Sequence, residues 1–181
     1  MARIRKIFPV GKERRGDFVY CGWMHRTEEF GGGKLRITID QHAYVTSIDK
    51  VDVGVPPASK SEHLSDEMQT EYRALVGALL WCTGQTRPDI AFDVASAASH
   101  NNKATYEQLR KLNAIVDKAK RTDVAMVYNT IPDKHIVLLG YADAAWANLP
   151  NAGTGGGYVV GLTDLHTSAS CPGDVGVLNV L

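Results

Sequence analysis

Glu71-Tyr-Arg-Ala-Leu-Val-Gly-Ala-Leu-Leu-Trp-Cys-Thr-Gly-Gln-Thr-Arg-Pro-Asp-Ile-Ala-Phe-Asp-Val-Ala95 is the stretch that decides the fold. With Met68 just upstream, Tyr72, Leu75, Val76, Leu79 and Cys82 recur at helical spacing. Ser65 or Asp66 stands where an N-cap belongs, and Gly84 stands where the helix ends. Thr86-Arg-Pro-Asp89 has capping-box form, with Pro88 in the first turn, where its missing N–H costs nothing. It opens an alanine-rich helix through Ala91, Val94, Ala95, Ala97 and Ala98. Further on, Thr105-Tyr-Glu-Gln108 repeats the box, and Leu109, Leu112, Val116 and Ala119 form an apolar stripe. The spacing predicts helices over Gln69–Thr83, Pro88–Ser99 and Tyr106–Lys120, packed through Leu75, Leu79, Val94, Leu112 and Val116.

The period changes on either side. Upstream, Phe18, Tyr20 and Gly22 form one alternating run and Leu35, Ile37 and Ile39 another, with Gly31-Gly-Gly33 between them, which predicts a β-hairpin with a loose tip. A short helical turn over His42–Ile48 follows. Val51 to Leu64 contains Pro56-Pro57, which forbid regular helix, and reads as a linker. Downstream, Val124 to Tyr128, Ile136 to Ala142 and Gly157 to Leu162 read as three antiparallel strands of an α+β domain, with Asn148 to Gly156 as a glycine-rich turn.

With 181 residues and 44% hydrophobic content, the chain is long enough to bury a core as one domain or two small ones. Formal charge balances at zero. Even so, Arg3, Arg5, Lys6, Lys12, Arg14 and Arg15 crowd the start, and Lys111, Lys118, Lys120 and Arg121 crowd the end of the third helix. Such patches attract phosphate where net charge does not. Cys21, Cys82 and Cys171 form no Cys-x-x-Cys pair, which argues against a disulfide framework or zinc knuckle and for a reducing compartment. The histidines lack the i, i+4 spacing of a helical metal site. No apolar run reaches membrane-span length, and the start lacks the apolar core of a secretory signal. The reading is a soluble intracellular protein, cytoplasmic or nuclear, with no membrane partner and no small-molecule substrate evident.

Glu71 to Ala95 closely resembles the segment after the polymerase core of copia-type LTR retrotransposon Pol polyproteins, where Tyr-Arg-x-Leu-Val-Gly-x-Leu-Leu and Thr-Arg-Pro-Asp-Ile-x-Phe recur as a pair. Phe18-Val-Tyr-Cys-Gly22 and Leu35-Arg-Ile-Thr-Ile-Asp-Gln-His-Ala-Tyr44 resemble the stretch that closes the reverse transcriptase palm in that family. Leu139-Gly-Tyr-Ala-Asp-Ala-Ala-Trp-Ala147 resembles the opening strand of its ribonuclease H domain. The matches run from Gly16 to Leu162. They imply an α+β chain ordered as the end of the palm with its hairpin (1–50), a linker (51–67), a helical thumb or connection (68–122), a partial ribonuclease H-like sheet (123–162) and an unmatched tail (163–181).

The resemblance also bears on chemistry. Reverse transcription holds two Mg²⁺ ions on paired carboxylates, and this chain has no Asp-Asp pair. What remains of that active site is the element resembling the primer grip, Tyr20, Cys21 and Gly22, which with Lys111, Lys118, Lys120 and Arg121 forms the implied nucleic-acid-binding set. Asp143 matches the first ribonuclease H carboxylate and is the single implied catalytic and metal-binding residue. Its partners are absent: the last glutamate is Glu107, Ala145 stands where the family has a second Asp, and Asp164 and Asp174 carry no family motif. Trp146 reads as a packing residue. The implied partner is an RNA–DNA hybrid or primer–template duplex, and Mg²⁺ belongs to the intact parent enzyme, with no cofactor assigned to this chain. The alternatives are a non-catalytic nucleic-acid-binding or interaction module and a decayed reading frame. No helices follow Leu162 to cover the last strands, so that sheet is expected to leave apolar side chains facing water.

Overall fold

The computed structural model describes residues 11, 13–54, 59–131, 136–149, 153–164 and 179–180. The chain is α+β. A four-stranded antiparallel sheet orders β1 (Phe18–Tyr20), β2 (Trp23–Phe30), β3 (Lys34–Asp40) and β4 (Met126–Asn129) side by side. The glycine loop at 31–33 does reverse the chain, but the strand entering it is β2, paired from Met24↔Asp40 to Phe30↔Lys34, and β1 hangs on the far side of β2. Sequence reading passed over β2 because Trp-Met-His-Arg-Thr-Glu-Glu-Phe carries polar residues on both faces and shows no alternation of hydrophobicity.

The bundle follows α1 (His42–Ser47), with α2 (Asp66–Thr83), a 3₁₀ turn at Pro88–Ile90, α3 (Ala91–Ala98) and α4 (Tyr106–Arg121). Leu75, Leu79, Val94, Leu112 and Val116 are all buried, as helical spacing required, and Tyr72, Ile90 and Leu109 join them. Ser65 caps α2 by accepting from the Met68 N–H at 3.3 Å. A capping box opens α4, the Gln108 side chain accepting from Thr105 N–H at 2.6 Å. The box expected at Thr86-Asp89 does not form. The Thr86 hydroxyl donates to Gln41 Oε1 at 2.8 Å, Asp89 turns to Arg87, and Pro88 starts a 3₁₀ turn, so α3 begins only at Ala91.

The core reaches the stretch expected to be a linker, because Leu64 is buried with the helices and Val51 and Val53 pack half-buried against them. Asn113 of α4 binds Val51 in both directions, at 3.1 and 2.8 Å. The backbone carbonyls of Lys60 and Glu62 accept from Glu107 N–H and Tyr106 N–H, and Leu64 N–H donates to Ala104 O. The described parts of the stretch are thus strapped along the start and middle of α4. These strand-like hydrogen bonds satisfy backbone groups that the prolines exclude from helix.

The last three strand runs do not share one sheet. The first, β4, joins the sheet at β3 (Ile37↔Tyr128). The others, β5 (Ile136–Leu149) and β6 (Gly153–Asp164), form a separate hairpin to which β7 (Asn179–Val180) adds beside Gly161 and Leu162. Period-two patterning identifies strands without naming neighbours. This second sheet carries the solvent-facing apolar residues expected of it, with Leu138 65% and Tyr158 82% exposed and Ile136 and Tyr141 about half so. Most of the tail beyond Asp164 lies outside the described residues. Among the described residues, no helix is long and apolar enough to cross a membrane.

Candidate nucleic-acid interface

Tyr20, Cys21 and Gly22 form the tip of the β1–β2 hairpin. Tyr20 pairs directly with Trp23, so Cys21 and Gly22 make a two-residue loop, and both have positive φ, +50° and +81°. That is the signature of the primed type I turn, whose twist matches the flanking strands. Gly22 meets this demand without strain, whereas Cys21 does so against the usual preference of a side-chain-bearing residue. All three are solvent-exposed, and Arg14 Nη1 donates to Val19 O at 2.6 Å, which sets a guanidinium beside the tip.

Behind the tip, alternation puts Trp23 and His25 on one face with Phe18. The Phe18 and His25 rings stack at 4.7 Å, and Trp23 stacks on Trp81 of α2 at 6.4 Å. Such a pair contributes about 0.5–1.5 kcal/mol beyond its buried area. It fixes the hairpin to the bundle. A cleft of about 390 Å³ separates Trp23, Ile39, Met126 and Tyr128 of the sheet from Thr86 and Pro88. Its described lining has no charged side chain.

The basic residues of α4 are not one patch. At 100° per residue, Lys111 and Lys118 share a stripe while Lys120 points about 180° away and Arg121 lies between them. Lys111 pairs with Glu107 at 2.7 Å, and that hydrogen bond holds the Glu107 carboxyl below its ordinary range. Lys118 pairs with Asp93 at 2.8 Å, and Arg121 Nε donates to Asp117 O at 3.3 Å. Lys120 is exposed. Lys111 and Lys118 are thus neutralised by carboxylates, while Lys120 and Arg121 keep their charge on the solvated side of α4.

Sequence reading missed Arg87. Its side chain is 3% exposed, forks onto both Asp89 oxygens at 2.8 and 2.9 Å, and donates to Ala119 O and Thr122 Oγ1, each at 2.7 Å. It therefore ties the α2–α3 turn to the last carbonyls of α4, where a cation is favoured. The hydrogen bond from Arg87 holds the Asp89 carboxyl below its ordinary value. The signal was available, since an arginine two residues from an aspartate across a proline is set to fork back on it. Nearby, burial pushes the Cys82 thiol up to about 11, which leaves it protonated and inert.

Asp143 sits mid-strand on β5 opposite Gly157, exposed to solvent. Among the described residues, no group of three His, Cys, Asp or Glu side chains is placed to hold a metal ion. One exposed carboxylate does not supply the donor set of a two-metal site. The Trp146 side chain, Asp174 and the basic residues before Gly11 lie outside what is described. Compared with protein-family models, with curated proteins and with solved structures, the chain matches none.

Proposed function

We propose that this chain contributes primer–template handling within a copia-type LTR retrotransposon Pol polyprotein, as the end of the reverse transcriptase palm, the thumb and connection helices and the opening ribonuclease H strands, without a complete active site. The observation that carries this reading is the exposed Tyr20-Cys21-Gly22 turn, seated on a sheet that Trp23 locks to the helices through Trp81. Gly22 offers backbone with no side chain in the way, Tyr20 offers a ring for a base or sugar, and Arg14 stands beside them to meet phosphate.

The test is fluorescence anisotropy with a labelled RNA–DNA hybrid across a salt series. Affinity should fall as salt rises, because phosphate contacts release counterions. Tyr20→Ala should weaken binding by about tenfold, in line with the loss of one stacked ring, whereas Lys111→Gln, already paired with Glu107, should leave it nearly unchanged. Absence of binding at low salt, or indifference to Tyr20→Ala, would refute the proposal.

A further inference from the structure

The cleft between the four-stranded sheet and the bundle is built by strand register. His25 lies opposite Ile39 and Ile39 opposite Met126, so these residues share a face with Trp23 and Tyr128, each two positions along its strand. Trp23, Ile39, Met126 and Tyr128 thus make one wall, Thr86 stands across from them, and Tyr158 of β6 borders the opening. At about 390 Å³ the cleft falls within the range of about 300–1,000 Å³ that small-molecule sites occupy.

Two buried hydrogen-bond donors adjoin it without partners among the described residues, the indole Nε1–H of Trp23 and the side-chain Nε2 of Gln41. Gln41 is 2% exposed and reaches the cleft wall through its Oε1, which accepts from the Thr86 hydroxyl at 2.8 Å. A buried donor left dry is costly, and a buried indole N–H ordinarily finds an acceptor. Such orphans in a native fold call for a group that the chain itself does not supply.

We propose that the cleft binds an uncharged, planar heterocycle with hydrogen-bond acceptors on its rim. The aromatic and aliphatic wall suits a flat ring system, and the orphan donors require the acceptors. A charged ligand would leave water without a counter-ion in the described lining, which is costly. Trp23 is only half-buried, so a modest turn of its ring presents the N–H to the cleft, and Tyr158, 82% exposed, moves aside without losing buried packing. Shielded from water, a bond to the indole N–H faces little competition from solvent. A free heterocycle and an unpaired base of a nucleic-acid strand share this chemistry, and the site stands independently of the nucleic-acid reading.

Caffeine, which is planar and uncharged and carries acceptors but no N–H or O–H donor, is the probe. Titrated into the isotope-labelled full chain, it should shift the indole N–H resonance of Trp23, identified by its loss in Trp23→Phe, more than that of Trp81. The dissociation constant should be about a millimolar, as ordinary ligand efficiency gives for a molecule of this size. Trp23→Phe keeps a ring against Trp81 without the donor, and should weaken binding by about tenfold as followed at the Thr86 amide. Ala91→Leu narrows the cleft from the α3 side. It should abolish the shift with circular dichroism unchanged, and it decides the matter should Trp23→Phe fail to fold. Displacement of a labelled single-stranded oligonucleotide by caffeine would identify the occupant as a base, and caffeine binding without displacement would identify it as a free heterocycle. The absence of a Trp23 shift up to the solubility of caffeine, unchanged affinity in Trp23→Phe, or a shift that survives Ala91→Leu would overturn the proposal.

Discussion

Truncating Arg87 to alanine removes a guanidinium that makes four hydrogen bonds from a nearly sealed position. Breaking a buried pair costs about 3–5 kcal/mol where the surviving partner is left dry. Asp89 is 28% exposed, so water recovers part of its loss, while the Ala119 carbonyl loses a charged donor at the end of α4. A loss of roughly 2–4 kcal/mol follows, a large share of the roughly 5–15 kcal/mol that holds an ordinary domain. Urea unfolding followed by circular dichroism should show a lower midpoint with an unchanged slope. Arg87→Lys keeps the charge without the fork and should recover less than half of the loss. The pH dependence has a definite sign. Arg87 holds the folded Asp89 carboxyl below its unfolded value of about 3.9, so the pair stabilises fully above that pH and the contribution is lost as pH falls through the folded pKa. The stability gap between the native chain and Asp89→Asn should therefore shrink on acidification. A loss below about 1 kcal/mol for Arg87→Ala would place the pair among solvated surface bridges and refute the argument.

Leu79→Ala, at a fully buried position, should cost about 2–5 kcal/mol, while Leu138→Ala on the open sheet should change monomer stability by less than about 0.5 kcal/mol. Chemical denaturation of dilute samples compares them, and equal losses would contradict the assigned core. With Mg²⁺ or Mn²⁺ the purified chain should neither extend a primer nor cleave an RNA–DNA hybrid, and Asp143→Asn should change nothing. Metal-dependent cleavage abolished by that substitution would reveal acidic partners for Asp143.

Helices were the most legible part of the sequence because each carried two independent signals, a 3.6-residue stripe and a terminal cap. Where the second signal misled, at Thr86-Asp89, another partner had taken each polar side chain: the distant Gln41 for Thr86 and the neighbouring Arg87 for Asp89. Strands were legible where one face was apolar, as at Leu35, Ile37 and Ile39, and illegible at β2, where both faces carry polar residues. Pairing was the least legible, since nothing local to Val127 and Tyr128 says that their neighbours are Thr38 and Ile37. Of the candidate site, the turn at Cys21-Gly22 was readable as a strand end. The division of Lys111, Lys118 and Lys120 between opposite sides of α4 required only the helical angle, and the Lys111–Glu107 pair only the i, i+4 spacing, whereas the neutralisation of Lys118 required knowing where Asp93 lies.

The return of β4 to β3 encloses the whole bundle, His42 to Arg121, between two neighbouring strands. Closing that pairing demands that a long loop be shortened first, and the entropy of loop closure is recovered only when the helices have already drawn its ends together. The bundle should therefore nucleate and the sheet zip afterwards, sealed by Thr130, which bonds Leu35 through both its backbone and its hydroxyl. A chain growing from its N-terminus would hold β3 as an uncompleted edge until Met126 emerged. Mechanical load applied between β1 and β4 would be borne by the strand ladder before any of it reached the helices.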